Sequence, residues 1–483
     1  MPEEARFAPP KGPQDLWAAF LFVANLASTV ILASVVIPKV DLTTMRLRGT
    51  TPPPPPPSGS QPPFSITFGP AAISAVVAAA FASMAFSFCY LLLMKSVPKQ
   101  LVKLTFWCSA FTFCALGVFL FLMTGSIFLG VVMLFIGGLY VMTYRMWRKR
   151  MPFAAVMLAT VSSVTNKYGG MLFVAVVGLI AQLAYVVGWA ITAVCASVYF
   201  GAFNSTSSST TMRMTPAMYI LWLYLVFSLY WTTQVIRNVI HTTLSGVFAS
   251  FYFLSGSPAG MPAFPTLAAF KRTTTTSFGS VCYGSLLVAA VQTLRAAIDQ
   301  ARQSDRNNGL MAFIVCCVDC LLACVQGMLE ALNHYAFVQV AIYGKPYCRA
   351  AKDTWHMIKT RGVDLILNDS LIGNVLGFGG LWCACITTLV AWGAFAAAAA
   401  SMPWPTTPAA RMALDVTMII ALLISAVIGV IVFSVVGSVI ESGTSATFVC
   451  LAEDPLALQQ TKPELWQKVR ETYPNAAFIS MYH

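Results

Sequence analysis

The stretch Met171–Phe200 reads MLFVAVVGLIAQLAYVVGWAITAVCASVYF and contains no Asp, Glu, Lys or Arg. A helix of about 20 apolar residues crosses the hydrocarbon core of a bilayer, so this stretch predicts a transmembrane helix. Nine other windows have the same character. The ten predicted spans are Leu16–Val36, Ala71–Met94, Leu101–Met123, Ile127–Met146, Met171–Phe200, Pro216–Ile236, Ser280–Ile298, Leu310–Ile342, Leu371–Ala400 and Leu414–Ser438.

The composition agrees with that prediction. Of the 483 residues, 58% are apolar and 10% are charged, whereas soluble domains carry about 45–50% and about 25%. So few charges cannot cover a water-soluble surface, and the composition also excludes disorder, collagen and coiled coil. The predicted fold class is all-α, a polytopic integral membrane protein of about ten transmembrane helices.

The net charge of +12 predicts an orientation. With both termini in the cytoplasm, 21 of the 29 Lys and Arg residues fall on the inner side, as the positive-inside rule requires. The charge therefore requires no nucleic-acid partner. The predicted organisation is a cytoplasmic tail over 1–15, one transmembrane domain over 16–438 and a cytoplasmic tail over 439–483.

Two predicted extracellular loops have a distinctive composition. Residues 37–70 include the six-proline run Pro52–Pro57, and residues 201–215 contain the glycosylation sequon at Asn204. Met151–Lys167 is predicted to be an interfacial helix. Ser245–Phe270, which Gly and Pro interrupt near its end, is predicted to be a cytoplasmic-side or re-entrant segment.

Catalytic signatures are missing from the sequence. It contains no G-x-x-x-x-G-K-[ST], H-E-x-x-H or G-x-S-x-G motif. Cys316, Cys317, Cys320 and Cys324 resemble a thiolate metal site in spacing, but no second cysteine pair or histidine partner completes it. We therefore predict no enzyme activity, no cofactor and no metal.

Ionisable residues inside a span are costly and indicate function by default. Asp319, Gln326, Glu330 and Asn333 follow at steps of seven, four and three, so they share one face of a helix, with His334 beside it. We call these four residues the polar stripe. The stripe either clamps a neighbouring helix or lines a wet cavity, and the spacing alone favours neither.

A second group of residues combines aromatic rings with polar side chains. Tyr230, Gln234, Asn238 and His241 follow at steps of four, four and three. A quaternary ammonium has no N–H group, so a protein must hold it with aromatic faces and a nearby carboxylate. Packing and membrane-interface roles are the alternative for such aromatics. The predicted substrate-binding residues are Trp231, Tyr230, Trp189, Tyr185, Tyr283, Gln234, Gln326, Glu330, Asp319 and Asn333, with His241 and His334 for proton exchange.

Three strings support a family resemblance: SFGSVCYGSLLVAAVQTLR (Ser277–Arg295), CCVDCLLACVQGMLEALNHYAFVQVAIYGKPYCRAAKDTW (Cys316–Trp355) and IKTRGVDLILNDSLIGNVLG (Ile358–Gly377). They resemble the choline transporter-like family, in particular its fungal pH-nine-sensitive branch. The resemblance implies ten spans, cytoplasmic termini, a glycosylated outer surface, and transport of choline or ethanolamine, facilitated or proton-coupled. Animal relatives often carry Cys-Leu-Glu where this chain has Cys324-Val325-Gln326, so an amide replaces an acid.

These observations predict a secondary transporter in the plasma membrane whose partners are a small organic cation and membrane lipids. One alternative is a non-transporting scaffold or lipid-interacting sensor, in which the polar stripe is a clamp and the basic inner loops bind anionic lipid. The other is an intramembrane lipid enzyme, although the carboxylates and histidines show no catalytic spacing.

Overall fold

The computed structural model describes residues 12–41, 46–47, 69–123, 127–148, 150–201, 216–258, 260–304, 309–401 and 408–472. Within these ranges the chain is almost entirely helical. The helices are α1 (Leu16–Val36), α2 (Pro70–Ser96), α3 (Pro98–Met123), α4 (Ile127–Trp147), α5 (Met151–Lys167), α6 (Gly170–Tyr199), α7 (Pro216–Leu254), α8 (Pro265–Thr275), α9 (Phe278–Ser304), α10 (Gly309–Tyr343), α11 (Tyr347–Ala400), α12 (Pro408–Glu453), α13 (Pro455–Thr461) and α14 (Pro463–Thr472). Strand β1 (Val40–Asp41) pairs antiparallel with β2 (Arg46–Leu47).

Ten of the described helices contain segments long and apolar enough to cross a membrane, and they correspond one to one to the ten predicted spans. The all-α, polytopic fold class is therefore confirmed. The cytoplasmic placement of the termini stays a prediction. So do the extents of the tails and loops. The Pro-rich run and Asn204 lie outside the described residues.

Proline sets many of the helix starts. Seven of the described helices begin at a proline, whose fixed φ suits the first helical turn and whose missing N–H would have no partner there. Predicted boundaries were less accurate at helix ends. Ser245–Leu254 continues α7 as regular helix, so the irregular backbone expected from residue 245 begins only after Leu254.

The chain divides into two compact units. Unit 1 takes the described residues of Met1–Pro55, Phe173–Ser250 and Met261–Met357. Unit 2 takes those of Pro56–Leu172, Phe251–Gly260 and Ile358–His483. All described residues of the predicted substrate site belong to unit 1.

The core of unit 1 holds α1, α7 and α9 together. Phe22 of α1 packs with Trp231 and Val235 of α7 and with Cys282 and Ala289 of α9. Val36, Ala193, Ala196 and Leu225 form a second buried cluster of α1, α6 and α7. This packing places α9 so that its other side faces α10.

The core of unit 2 is built from small side chains. Ala71, Ala75 and Ala79 of α2 pack with Ala391 of α11 and Ala421 of α12. Small residues let transmembrane helices approach closely enough for van der Waals packing to hold them. Helix α5 has the predicted bounds and buries ten of its 17 residues; its position at a membrane interface stays a prediction.

Candidate functional site

Three of the four polar-stripe residues join a single hydrogen-bond network with α9. Arg295 of α9 donates from Nε to Asp319 Oδ1 at 2.9 Å and from Nη1 to Gln326 Oε1 at 2.7 Å. Gln326 Nε2 in turn donates to Glu330 Oε1 at 2.8 Å, and Gln292 Nε2 donates to the same oxygen at 3.2 Å. We call these five residues the charged cluster. It forms one connected hydrogen-bond network between α9 and α10.

The two acids of the charged cluster have different partners. Asp319 forms an ion pair with Arg295. Glu330 accepts hydrogen bonds from two neutral amides, and among the described residues no cation lies within ion-pair distance of it. With one Arg and two acids, the cluster carries a formal charge of −1. The uncompensated charge therefore resides at Glu330.

The contacts combine the two alternatives that the spacing left open. The network is an interhelical clamp, because three of its four hydrogen bonds join α9 to α10. The Arg295 and Asp319 side chains nevertheless remain 30% and 25% exposed, so the clamp is not a dry core contact. A partly exposed network of this kind is compatible with a path for a charged solute.

Asn333, the fourth residue of the polar stripe, belongs to a second network. Its Nδ2 donates to the Gly284 carbonyl at 2.9 Å, and its Oδ1 accepts from the Tyr347 hydroxyl. Burial raises the pKa of the Tyr347 phenol well above its ordinary value, so the hydroxyl stays protonated and remains a donor. Asn333 thus fastens α10 to α9 and to the start of α11.

The start of α11 is also fastened to the start of α1. Asp15 Oδ2 accepts from the Tyr347 N–H at 2.8 Å and from the Ser280 hydroxyl at 2.7 Å. Asp15 has a left-handed backbone with φ of 50°. A Cβ atom at Gly279 would overlap the Gln14 and Asp15 carbonyl oxygens. We call Gln14 and Asp15 the N-terminal strap; it requires glycine at position 279.

The two candidate proton carriers lie together. The rings of His241 and His334 stack with their centroids 4.2 Å apart. His241 Nε2 donates to the His334 carbonyl oxygen at 2.8 Å, which requires the Nε2–H tautomer. His334 Nε2 is buried and has no hydrogen-bond partner among the described residues.

The predicted aromatic residues do not all pack in the same buried cluster. Trp231 is buried and donates from its indole N–H to the Cys282 carbonyl at 3.1 Å, and Tyr230 and Tyr283 border the same cluster. Trp189 borders the other unit 1 cluster and donates to the Leu225 carbonyl at 2.8 Å.

Two further predicted residues lie near that core. The Tyr185 hydroxyl donates to the Ser228 carbonyl at 3.1 Å. Gln234 is half-buried on α7. A single cage formed by all five aromatics stays a prediction.

Several residues of these networks were not predicted. Arg295 is absent from the predicted site, yet it lies within the candidate span Phe278–Gln300. Gln292, Tyr347 and Asp15 are likewise absent from the predicted site. An arginine inside an apolar window is itself a signal, because it needs an acidic partner at membrane depth.

Metal chemistry gains no support from the described residues. No group of three or more His, Cys, Asp and Glu side chains among them has an arrangement that could hold a metal ion. Cys316, Cys317, Cys320 and Cys324 are exposed on α10 with free thiols.

Comparison with known proteins gives consistent matches. Residues 131–456 match the family model described as plasma-membrane choline transporter. Protein PNS1 of Gibberella zeae is 32% identical over 479 residues, covering 98% of this chain and 84% of that protein. Protein pns1 of Aspergillus fumigatus is 33% identical over 352 residues, covering 71% and 64%. A CTL-like protein of Dictyostelium discoideum is 29% identical over 476 residues, covering 97% and 77%.

Proposed function

The chain belongs to the plasma-membrane choline transporter family, and from that premise we propose that it carries choline or a related small organic cation, such as ethanolamine, across the membrane. Family membership and ten candidate spans make it a multi-pass membrane transporter. The further parts of the proposal are the substrate, secondary transport that is facilitated or proton-coupled, location in the plasma membrane, and glycosylation at Asn204.

The observation that carries the proposal is the environment of Glu330. Its carboxylate lies in a candidate span, and it is held by two amides while the nearby Arg295 is paired with Asp319. An acid at that depth without a counter-ion is costly unless water or a mobile cation balances it. A passing organic cation would supply that balance.

The aromatic residues support the same substrate. Trp231, Tyr230 and Tyr283 come together where α7 meets α9, and an aromatic face attracts an ammonium group without needing an N–H donor. We propose that these faces hold the cation and that Glu330 with Asp319 supplies the negative potential that attracts it.

Proton coupling is proposed for the stacked histidine pair. Two imidazoles with centroids 4.2 Å apart cannot both carry a positive charge cheaply, because like charges repel. The pair is therefore suited to exchange a single proton. If an imposed pH gradient drives uptake and His334→Asn abolishes this effect, proton coupling is supported. If the gradient does not change uptake, transport is facilitated and not proton-coupled.

The test is uptake of radiolabelled choline and of ethanolamine into proteoliposomes containing the full chain. Wild type should show saturable uptake of at least one of them. Glu330→Gln keeps the shape and removes the charge, and losing a hydrogen bond or contact to a charged group costs about 1.5–3 kcal/mol, so kcat/KM should fall roughly 10- to 150-fold.

The matched control is Asp353→Asn. Asp353 pairs with Lys345 at 2.7 Å in the same unit but outside the candidate spans, so the variant should leave kcat/KM unchanged. Absence of saturable uptake by folded wild type rejects the transport proposal, and an unchanged Glu330→Gln rejects the role of Glu330.

A non-transporting scaffold or lipid sensor is the second candidate, and the hydrogen bonds that clamp α9 to α10 favour it. A scaffold predicts that folded wild type takes up neither amine and that Glu330→Gln changes stability alone.

A further inference from the structure

Asn25, in the middle of α1, has an unusual environment. The residue is only 7% exposed. Both polar atoms of its amide, Nδ2 and Oδ1, are buried, and neither has a hydrogen-bond partner among the described residues. Buried side-chain polar atoms nearly always have partners, because an unmade hydrogen bond is costly. The Asn25 amide therefore indicates a partner outside the described part of the chain, such as a bound molecule.

Hydroxyl groups of α1 and α7 lie at the backbone carbonyl of Asn25, and a hydroxyl of α6 adjoins them. Thr29 Oγ1 lies 2.8 Å from Ser228 Oγ, which is 3.0 Å from the Tyr185 hydroxyl. The Tyr224 hydroxyl lies 3.2 Å from the backbone carbonyl oxygen of Asn25. We call Asn25, Ser28, Thr29, Tyr185, Tyr224 and Ser228 the hydroxyl cluster.

The other members of the hydroxyl cluster are already engaged. The Ser28 and Thr29 hydroxyls donate to the backbone carbonyl of Asn25 at 2.9 and 3.0 Å. The Tyr185 hydroxyl donates to the backbone carbonyl of Ser228 at 3.1 Å. The Asn25 side chain, in contrast, has two N–H donors and one oxygen acceptor without partners among the described residues. The cluster is thus a polar site with its unmet hydrogen bonds concentrated on one amide.

The chemistry of a primary amide selects the group that fits. An alcohol hydroxyl accepts from Nδ2–H and donates to Oδ1, so it satisfies both atoms at once. An inorganic cation would bind Oδ1 alone and leave the N–H donors unpaired. A quaternary ammonium offers neither donor nor acceptor. The site therefore fits a hydroxyl group rather than a charged one.

The aromatic residues lie one helical turn away on two of the same helices. Phe22 precedes Asn25 by three residues on α1, and Trp231 follows Ser228 by three residues on α7. The two rings touch edge to face with centroids 5.4 Å apart. Three residues rise about 4.5 Å along a helix, so the two groups lie within the reach of a small molecule such as an amino alcohol.

We propose that Asn25 binds the hydroxyl group of the transported amino alcohol, and that this contact makes the transporter reject amines that lack a hydroxyl. This inference rests on the proposed function. Choline and ethanolamine differ at nitrogen and share the hydroxyl, so Asn25 would recognise what the two have in common.

The test compares each amine with its deoxy analogue in proteoliposomes of the full chain: choline with ethyltrimethylammonium, and ethanolamine with ethylamine. Sites built to bind a hydroxyl discriminate strongly against analogues without it, so the wild-type ratio of kcat/KM should be about 10-fold or more. Asn25→Leu should lower the ratio to about one by reducing uptake of the hydroxylated amine alone.

Asn238→Leu is the matched control, because the Asn238 amide already donates to Ser285 Oγ at 2.9 Å; the ratio should not change. Asn25→Leu removes an unpaired buried amide, so its unfolding temperature should equal or exceed that of wild type. If wild type transports an amine and its deoxy analogue equally, the inference is overturned while transport stands. An equal loss of both in folded Asn25→Leu overturns it too. No uptake of any of the four overturns the proposed function itself.

Discussion

Asp319 and Glu330 share one face of α10 but have different partners: Asp319 pairs with Arg295, whereas two amides hold Glu330. The spacing of the polar stripe follows from helix geometry alone, so its common face was predictable. The pairing with Arg295 depends on how α9 packs against α10, which no local pattern encodes. The separate roles of the two acids therefore became apparent only in the structure.

Gly279 gives a prediction at the residue scale. A Cβ there would overlap the carbonyl oxygens of the N-terminal strap, so Gly279→Ala should lower the free energy of unfolding by about 1–3 kcal/mol, as overpacking does. The matched control is Gly188→Ala, where a Cβ meets open space. Thermal unfolding in detergent measures both. A Gly279→Ala protein as stable as the control would contradict the packing described for the strap.

Lys462 gives a pH-dependent prediction. Its Nζ donates to the Phe251 and Ser255 carbonyls at 2.6 and 3.1 Å, and burial lowers its pKa from 10.5 to about 8. Between those two pH values the unfolded chain binds more protons than the folded chain. The contribution of Lys462 to stability should therefore rise as pH increases from about 8 to 10.5.

The measurement compares unfolding temperatures of wild type and Lys462→Met at pH 7.5 and at pH 10, since methionine removes the titration. The unfolding temperature of wild type, relative to that of the variant, should be higher at pH 10 than at pH 7.5. A difference that is constant or that shrinks with pH would show that the lysine stays fully charged in the fold.

At the scale of elements, hydropathy located all ten candidate spans, because a run of apolar residues reports burial in lipid directly. Hydropathy did not locate the residues at which the helices end. The predicted spans of α7 and α12 stopped at Ile236 and Ser438, whereas these helices continue to Leu254 and Glu453. Those extensions are held by tertiary packing and by backbone hydrogen bonds, which need no apolar run.

Helix α2 gives a prediction at this scale. Its buried face carries Ala71, Ala75, Ala79, Ser83 and Ser87 at steps of four, a pattern of small residues that permits close helix packing. Ala79→Leu should force neighbouring helices apart and cost about 1–3 kcal/mol.

The control for that variant is Ala85→Leu, which adds the same volume at an exposed position of α2. It should leave the unfolding temperature in detergent nearly unchanged. Equal effects from the two substitutions would mean that the alanine face is not a packing surface.

At the scale of the whole molecule, the ten candidate spans and the distribution of basic residues predict that both termini lie in the cytoplasm. Asn204, between α6 and α7, would then be extracellular, whereas a second sequon, Asn368-Asp369-Ser370, would lie inside. Expressed in a eukaryotic cell, Asn204→Gln should migrate faster on a gel and Asn368→Gln should not. A shift for Asn368→Gln, or none for Asn204→Gln, would contradict the predicted orientation.

The N-terminal strap also bears on the order in which the protein is made. Asp15 accepts a hydrogen bond from Tyr347, 332 residues further along the chain. Translation proceeds at about 5–20 residues per second, so that partner is synthesised tens of seconds after α1 leaves the ribosome. The start of α1 therefore receives one of its contacts only after most of unit 1 has been synthesised. Until then the Asp15 carboxylate can bind the Ser280 hydroxyl but not the Tyr347 N–H.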